Sequence, residues 1–277
     1  EPYVEDKFPE DADVAKLNRR YKAVPEEFYS KTGLHPVTPQ NFGSWFAKAK
    51  GRKLKWHMWE LASGSGRLSL ICLMAGLIVG FPVDYRYGWD LNNPLHQKML
   101  RATQKEFQPG YIHHSLDCAP WSQAGNTKDP QERLQERMQA RPSLDFTMET
   151  CWEQHRHHRG YGLEQPWGSA MWYPSHLNPL DLDAIPDSRK KQRVDQCMHG
   201  AVDENGQPVQ KATGLGGNVK WTRTCLRCSG HGGRQHAQLQ GQAPGGFSRT
   251  AAAAVYPKTM CHRMKQDIVA FLNQRNL

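Results

Sequence analysis

Residues 57–77 constrain the fold more than any other stretch. His57-Met58-Trp59-Glu60-Leu61 has strand character, Ala62-Ser63-Gly64-Ser65-Gly66 is a glycine turn, and 67–77 is an apolar run of helical length. The alternation then continues. A second strand is expected at 78–84, a helix at 93–107 and a third strand at 111–115. A charged helix follows at 131–140 and another at 143–158, which Gly160-Tyr161-Gly162 should end before a strand end at 163–167. Strands alternating with helices predict a parallel sheet with right-handed crossovers and helices on both faces, a Rossmann-like α/β class.

The flanks have a different texture. Residues 1–37, charged and carrying Pro2, Pro9, Pro25 and Pro36, read as an extended N-terminal arm. Thr38-Pro39-Gln40 opens the 38–173 core with a helix in the N-cap and N1-proline manner. From 174 to 248 the chain is rich in Pro, Gly, Asp and Lys and reads as an irregular, Cys/His-rich insert. A last helix at 258–273, within the closing piece 249–277, has Met260, Met264, Ile268, Phe271 and Leu272 on one side and should dock on the core.

Thirty-six Lys and Arg against 27 Asp and Glu leave a net charge of +9 in 277 residues, which favours a polyanion, most simply nucleic acid, as partner. A soluble basic protein without such a partner is the plainer reading. Seven scattered cysteines with no secretory leader point to reduced thiols in the nucleus or cytosol, not to secretion. No apolar run approaches the roughly 18–20 residues of a membrane span, so no membrane partner is expected.

Chemistry concentrates at four places. Gly64 and Gly66 let the backbone approach a ligand at a helix N-terminus. Asp84, ending the second strand, can accept the ribose hydroxyls of an adenosine, with Tyr85 against the adenine ring. Cys118, in Asp117-Cys118-Ala119-Pro120-Trp121-Ser122-Gln123-Ala124-Gly125, lies in loop chemistry beyond a strand, where a thiolate reaches a substrate. Glu164 ends the next strand and should neighbour Cys118. An adenosine-type cofactor and a cysteine nucleophile are therefore expected on neighbouring strand ends. The plainer readings are a packing turn, a structural cysteine and an exposed acid.

These residues, in this order, resemble the DNA cytosine-5 methyltransferases, class I S-adenosylmethionine-dependent enzymes with Pro-Cys-Gln-x-Phe-Ser and Glu-Asn-Val motifs. Arg249-Thr250 and Tyr256-Pro257 resemble that family's C-terminal segment. The run from Trp59 to Pro257 is similar to methyltransferase-like segments of protist retrotransposon polyproteins, which share Asp195-Gln196-Cys197 and the Cys/His cluster. The resemblance implies that Cys118 adds to C6 of cytosine and that Glu164 holds N3 and the exocyclic amine. S-adenosylmethionine would lie against Glu60, Ser63, Gly64, Ser65, Gly66, Asp84, Tyr85 and Asp117. Arg67, Arg189, Lys190, Lys191 and Arg193 are the expected phosphate contacts, with DNA ahead of RNA. Asp117, Ala119 and Gln165 depart from the family motifs, and a carboxylate beside the thiol opposes its ionisation. A non-catalytic nucleic-acid-binding protein with a degenerate methyltransferase fold is the second reading.

Cys225-x-x-Cys228-x-x-His231 with a distant Cys197 has zinc-ligand spacing. Likeness to the retroelement segments implies Cys197, Cys228, His231 and His236 as the set, with Cys225 the main substitute. Such a site would be structural, fastening a stretch too poor in apolar residues to fold alone.

Overall fold

A computed structural model describes residues 24–123, 128–242, 246 and 249–277. The larger part of the expected N-terminal arm, 1–23, lies outside the described residues, as do Ala124 and Gly125 of the cysteine motif. In chain order the elements are α1 (Phe28–Thr32), α2 (Phe42–Ala49), β1 (Met58–Leu61), α3 (Arg67–Met74), α4 (Pro94–Phe107), β2 (Tyr111–His114), α5 (Pro130–Arg156), β3 (Gly160–Pro166), β4 (Arg189–Asp195), β5 (Ala212–Gly217), α6 (Arg249–Ala252) and α7 (Lys258–Arg275).

The fold is mixed α/β around a five-stranded, mostly parallel sheet of order β1-β2-β3-β5-β4. β1, β2 and β3 pair parallel, and β5 runs antiparallel between β3 and β4. The expected second strand forms only as parallel bridges, Met58 with Val79 and Leu61 with Val83, on the far side of β1. The chain thus leaves β1 for one side and returns to pair on the other. That places a topological switch point beside the glycine turn, where α/β sheets open a ligand crevice beyond their carboxyl ends.

Alternation along the strands divides the core. Trp59, Leu61, Ile112 and Leu163 face one cluster, with Leu100 and Phe107 of α4 and Leu144 and Phe146 of α5. Met58 and Tyr111 face the other, with Leu68 and Cys72 of α3 and Met260, Met264 and Ile268 of α7. The period of two also sets Glu60 beside His113, and His113 beside Gly162, so Glu164 stands on the same face one pleat further along.

Several boundaries differ from expectation. The stretch 174–248 is no irregular insert, because β4 and β5 within it complete the central sheet. Arg, Lys and Gln in β4 and three glycines in β5 hid both strands, since neither carries an apolar alternation. Gly160 and Gly162 open β3 instead of ending the preceding helix. Residues 130–156 form one helix through Pro142, with the Ser143 N–H taken by Asn92 Oδ1 at 3.1 Å and Pro142 O by Gln97 Nε2 at 3.0 Å. α2 begins at Phe42 with Asn41 as N-cap, and Thr38 N–H donates to Asn41 Oδ1 at 2.9 Å. Within the supposed arm, α1 folds onto the glycine turn: the Glu27 and Phe28 N–H groups both donate to Ser65 O.

Asp267 of α7 fastens the segment after β5. Its buried carboxylate accepts the Arg223 and Thr224 N–H groups and, at 2.8 Å, the Thr224 hydroxyl. Asp267→Ala leaves these donors buried without an acceptor and is expected to cost about 3–5 kcal/mol in chemical denaturation. A loss under about 1 kcal/mol would show that water replaces the carboxylate.

Candidate active site and metal centre

At the carboxyl end of β1–β3 lies a cavity of about 350 Å³. Its walls include Ser63, Gly64, Ser65, Asp84 and Tyr85 on one side, and Asp117, Cys118 and Glu164 on the other. The volume suits a small-molecule ligand. Residues expected to act together, from three strand ends, thus share one space.

The glycine turn is shaped by two left-handed residues that glycine tolerates. Gly64, φ +55°, faces open space and donates its N–H to Asp84 Oδ2 at 2.7 Å. Gly66, φ +68°, would set a Cβ 2.8 Å from that of Phe28, so the α1 contact demands glycine. Ala62 also adopts φ +55°, a strained value for alanine, at the rim of the cavity. Asp84 caps its own turn, accepting the Arg86 N–H at 3.1 Å with the Arg86 side chain alongside. Burial raises the Asp84 carboxyl above its usual range, and Arg86 and the Gly64 N–H pull it back only in part.

Two buried polar atoms on the walls, Ser63 Oγ and Glu164 Oε1, have no hydrogen-bond partner. Buried orphans are uncommon, and two on one cavity fit a polar ligand that completes them. Burial also raises the Glu164 carboxyl above its usual range, against the opposing pull of Lys211 and Tyr256. Cys118 follows β2 in a tight turn in which its O accepts the Trp121 and Ser122 N–H groups at 3.0 and 2.8 Å. Asp117 is exposed, and its Oδ1 accepts the Ala119 N–H at 2.9 Å, which commits that oxygen to the turn.

Glu60 lies on the cavity wall, yet its Oε2 accepts Ser69 N–H at 3.0 Å and Ser69 Oγ–H at 2.5 Å, so it anchors α3. Burial pushes this carboxyl up to about 7, with Ser69 opposing and Asp84 adding. The sign follows from linkage: below the ordinary value of 4.5 both folded and unfolded states hold the proton, and above about 7 the folded state bears the full cost of the charge. Stability from this group therefore falls as pH rises through that window, by on the order of 2–3 kcal/mol. Glu60→Gln should gain that much on wild type between pH 5 and pH 8 in paired denaturation curves. An equal difference at both pH values would contradict the buried, protonated acid.

Reading the sequence alone missed Lys211 and Arg86 on the cavity wall, and named Tyr256 only for its likeness to a family segment, not as part of the site. Tyr256 comes from the segment before α7, and its Oη lies 2.7 Å from Ser115 Oγ and 3.3 Å from His113 Nε2. An aromatic just ahead of Pro257 and a helix start was the only local signal for it.

The expected phosphate contacts do not form one cluster. Arg67 turns inward, bonded to Glu27 and to Tyr256 O, and so is withdrawn from the surface role expected of it. Arg193 pairs with the buried Asp195 at 2.9 Å. Arg189 Nε donates to Asn218 O at 3.2 Å, while Lys190 stays exposed. Lys191 is held among aromatic rings.

Away from the cavity, the ligand atoms of Cys197, Cys228, His231 and His236 all lie within 4.8 Å of one another, a group that can hold a metal ion. Cys228 Sγ is 3.4 Å from His231 Nε2 and 3.5 Å from His236 Nε2. A tetrahedron with legs of about 2.3 and 2.1 Å has edges of about 3.5 Å. Cys225, the substitute ligand, instead packs against the apolar cluster around α7. Cys197 sits in the turn directly after β4, and the Cys228 N–H donates to Asp195 Oδ2 at 2.8 Å, so the group ties 225–236 to the sheet.

Compared with protein-family models, curated proteins and solved structures, the chain gives no match. Among the described residues no helix is long and apolar enough to cross a membrane.

Proposed function

We propose that the protein is an S-adenosylmethionine-dependent methyltransferase of nucleic acid, with cytosine C5 in DNA as the expected target and Cys118 as nucleophile. One observation carries this reading: a glycine turn, an acid at the end of the neighbouring extended segment, a loop thiol and a buried acid line the same cavity beside the topological switch point. A Rossmann-like class I sheet accounts for the parallel β1–β3 core and for where the cavity opens.

The residues fit the cofactor. Ser63 Oγ is an orphan, Gly64 leaves room, and Asp84 retains lone pairs beyond those used by Gly64 and Arg86. When bound, S-adenosylmethionine supplies an electrophilic methyl group. Cys118, as thiolate, adds to C6 of the base and makes C5 nucleophilic. Glu164, protonated, donates to N3, and its other oxygen accepts from the exocyclic amine. The target base has to be unpaired or flipped, at a cost of roughly a few kcal/mol. At the Cys/His group, two thiolates and two imidazoles suit zinc, and four protein ligands leave no open position, so the ion would be structural.

Calorimetric titration with S-adenosylmethionine and S-adenosylhomocysteine tests the reading. Binding of both, weakened about tenfold or more in Asp84→Ala as for a lost pair of charged hydrogen bonds, is expected. No binding of either at millimolar concentration removes the enzyme. Asp117 beside the thiol and Ala119 after it, both departures from the family motif, favour the second reading of a non-catalytic nucleic-acid-binding protein. Oligonucleotide binding without cofactor binding would select it.

A further inference from the structure

The segment after β3 builds a surface that the cavity does not use. Lys191 of β4 places its ammonium 4.6 Å from the Trp167 ring, 4.9 Å from Tyr173 and 5.5 Å from Trp172. Nζ also donates to Trp167 O at 3.2 Å and to Tyr173 Oη at 3.4 Å, so one of its three donors remains. Trp172 is seated firmly. Its Nε1 donates to Pro166 O at 2.8 Å, and its ring lies where a side chain on Gly214 or Gly216 would stand, 2.7 and 2.8 Å from their would-be Cβ atoms. Tyr173, next in the chain, is 65 % exposed. Arg189 and Lys190, on the same strand as Lys191, are exposed as well.

This surface adjoins the cavity. Pro166 lines the cavity and Trp167 follows it, its N–H bonded to Ala212 O at 2.9 Å, next to the cavity-lining Lys211. The Ala170 N–H donates to Trp121 O at 2.8 Å, which braces the same segment against the Cys118 loop.

We infer that Trp167, Trp172 and Tyr173, with Lys190 and Lys191, form a stacking platform for an unpaired strand of nucleic acid whose neighbouring base enters the cavity. Aromatic rings interleaved with cations are what a single strand requires, since every base has a π-face and every phosphate a charge. A paired duplex has its base faces covered and gains nothing from an exposed tyrosine. The platform rests on the nucleic-acid part of the proposed function and adds to it a preference for unpaired substrate.

The test is fluorescence anisotropy with a labelled single strand of about 16 nucleotides and a duplex of the same sequence. Wild type, Tyr173→Ala, Tyr173→Phe and Lys190→Ala are compared, each also titrated with S-adenosylhomocysteine. Tyr173→Ala should weaken single-strand binding about tenfold, and Tyr173→Phe should restore it. Lys190→Ala should lower the slope of log affinity against log salt by about 0.7. Unchanged single-strand affinity in Tyr173→Ala, or tighter duplex binding indifferent to residue 173, overturns the platform and leaves the cofactor reading standing. Tyr173-dependent strand binding without S-adenosylhomocysteine binding supports the platform and overturns the cofactor reading. Absence of any oligonucleotide binding by wild type overturns the platform and the nucleic-acid substrate together.

Discussion

Cys118→Ser is expected to lower methyl transfer to a cytosine-containing oligonucleotide by at least about 10³-fold, the scale on which enzymes lose rate when the nucleophile of a covalent mechanism is removed. A hydroxyl ionises far less readily than a thiol, so serine keeps the shape and loses the attacking group. The turn should survive the change, because Cys118 contributes its carbonyl, not its side chain, to the Trp121 and Ser122 N–H groups. An unchanged melting temperature would separate lost chemistry from lost fold. With 5-fluorocytosine at the target, attack by the thiolate forms an S–C6 bond and methylation fills C5. No C5 proton is then available for elimination, so the adduct persists on a denaturing gel. Wild type with S-adenosylmethionine should show this adduct and Cys118→Ser should not. A wild-type protein that binds the cofactor yet gives no adduct would argue against attack by this cysteine.

Removing the proposed zinc is expected to produce the largest loss of stability. The segment 225–236 has little apolar surface, and it is tied to Asp195 of β4 by two hydrogen bonds, from the Cys228 N–H to the carboxylate and from the Asp195 N–H to Leu226 O. Without an ion, burial and the neighbouring Cys228 push the Cys197 thiol up to about 12, so this ligand reverts to its protonated form. Chelation, or Cys228→Ser, is expected to lower stability by about 5 kcal/mol or more, some 10–20 °C in melting temperature for a chain of this size. Elemental analysis should find about one zinc per chain. Less than about half an equivalent, with a melting temperature indifferent to chelator, would remove the structural ion.

How far the sequence led differs from element to element. β1, α4 and β2 were legible because Trp59, Leu61, Leu100 and Ile112 follow strand and helix periods, and Asn93 ahead of Pro94 is a strong helix start. β4 and β5 were not, because Arg189-Lys190-Lys191 and the glycines of β5 carry no apolar pattern. Their partners are each other and β3, at a distance along the chain. Pro142 suggested two helices where the fold keeps one, since side chains of α4 and the loop ahead of it supply hydrogen bonds around the proline.

Local chemistry determined most of the candidates: residue type and place marked the glycine turn, Asp84, Cys118 and Glu164, and spacing marked Cys197, Cys225, Cys228 and His231, while His236 in place of Cys225 came from the likeness to the retroelement segments. Their assembly was decided by tertiary structure. Parallel register put Glu60, His113 and Glu164 on one face, α1 closed over Gly66, and Tyr256 arrived from beyond the sheet. Charge also took its meaning there, since Arg67, Arg193 and Lys191 look alike in a list of basic residues, yet packing gives them a carboxylate, a buried acid and an aromatic cage. Residue type follows from the chain one position at a time. Burial and pairing depend on residues far apart in sequence, which only the folded backbone brings within bonding distance.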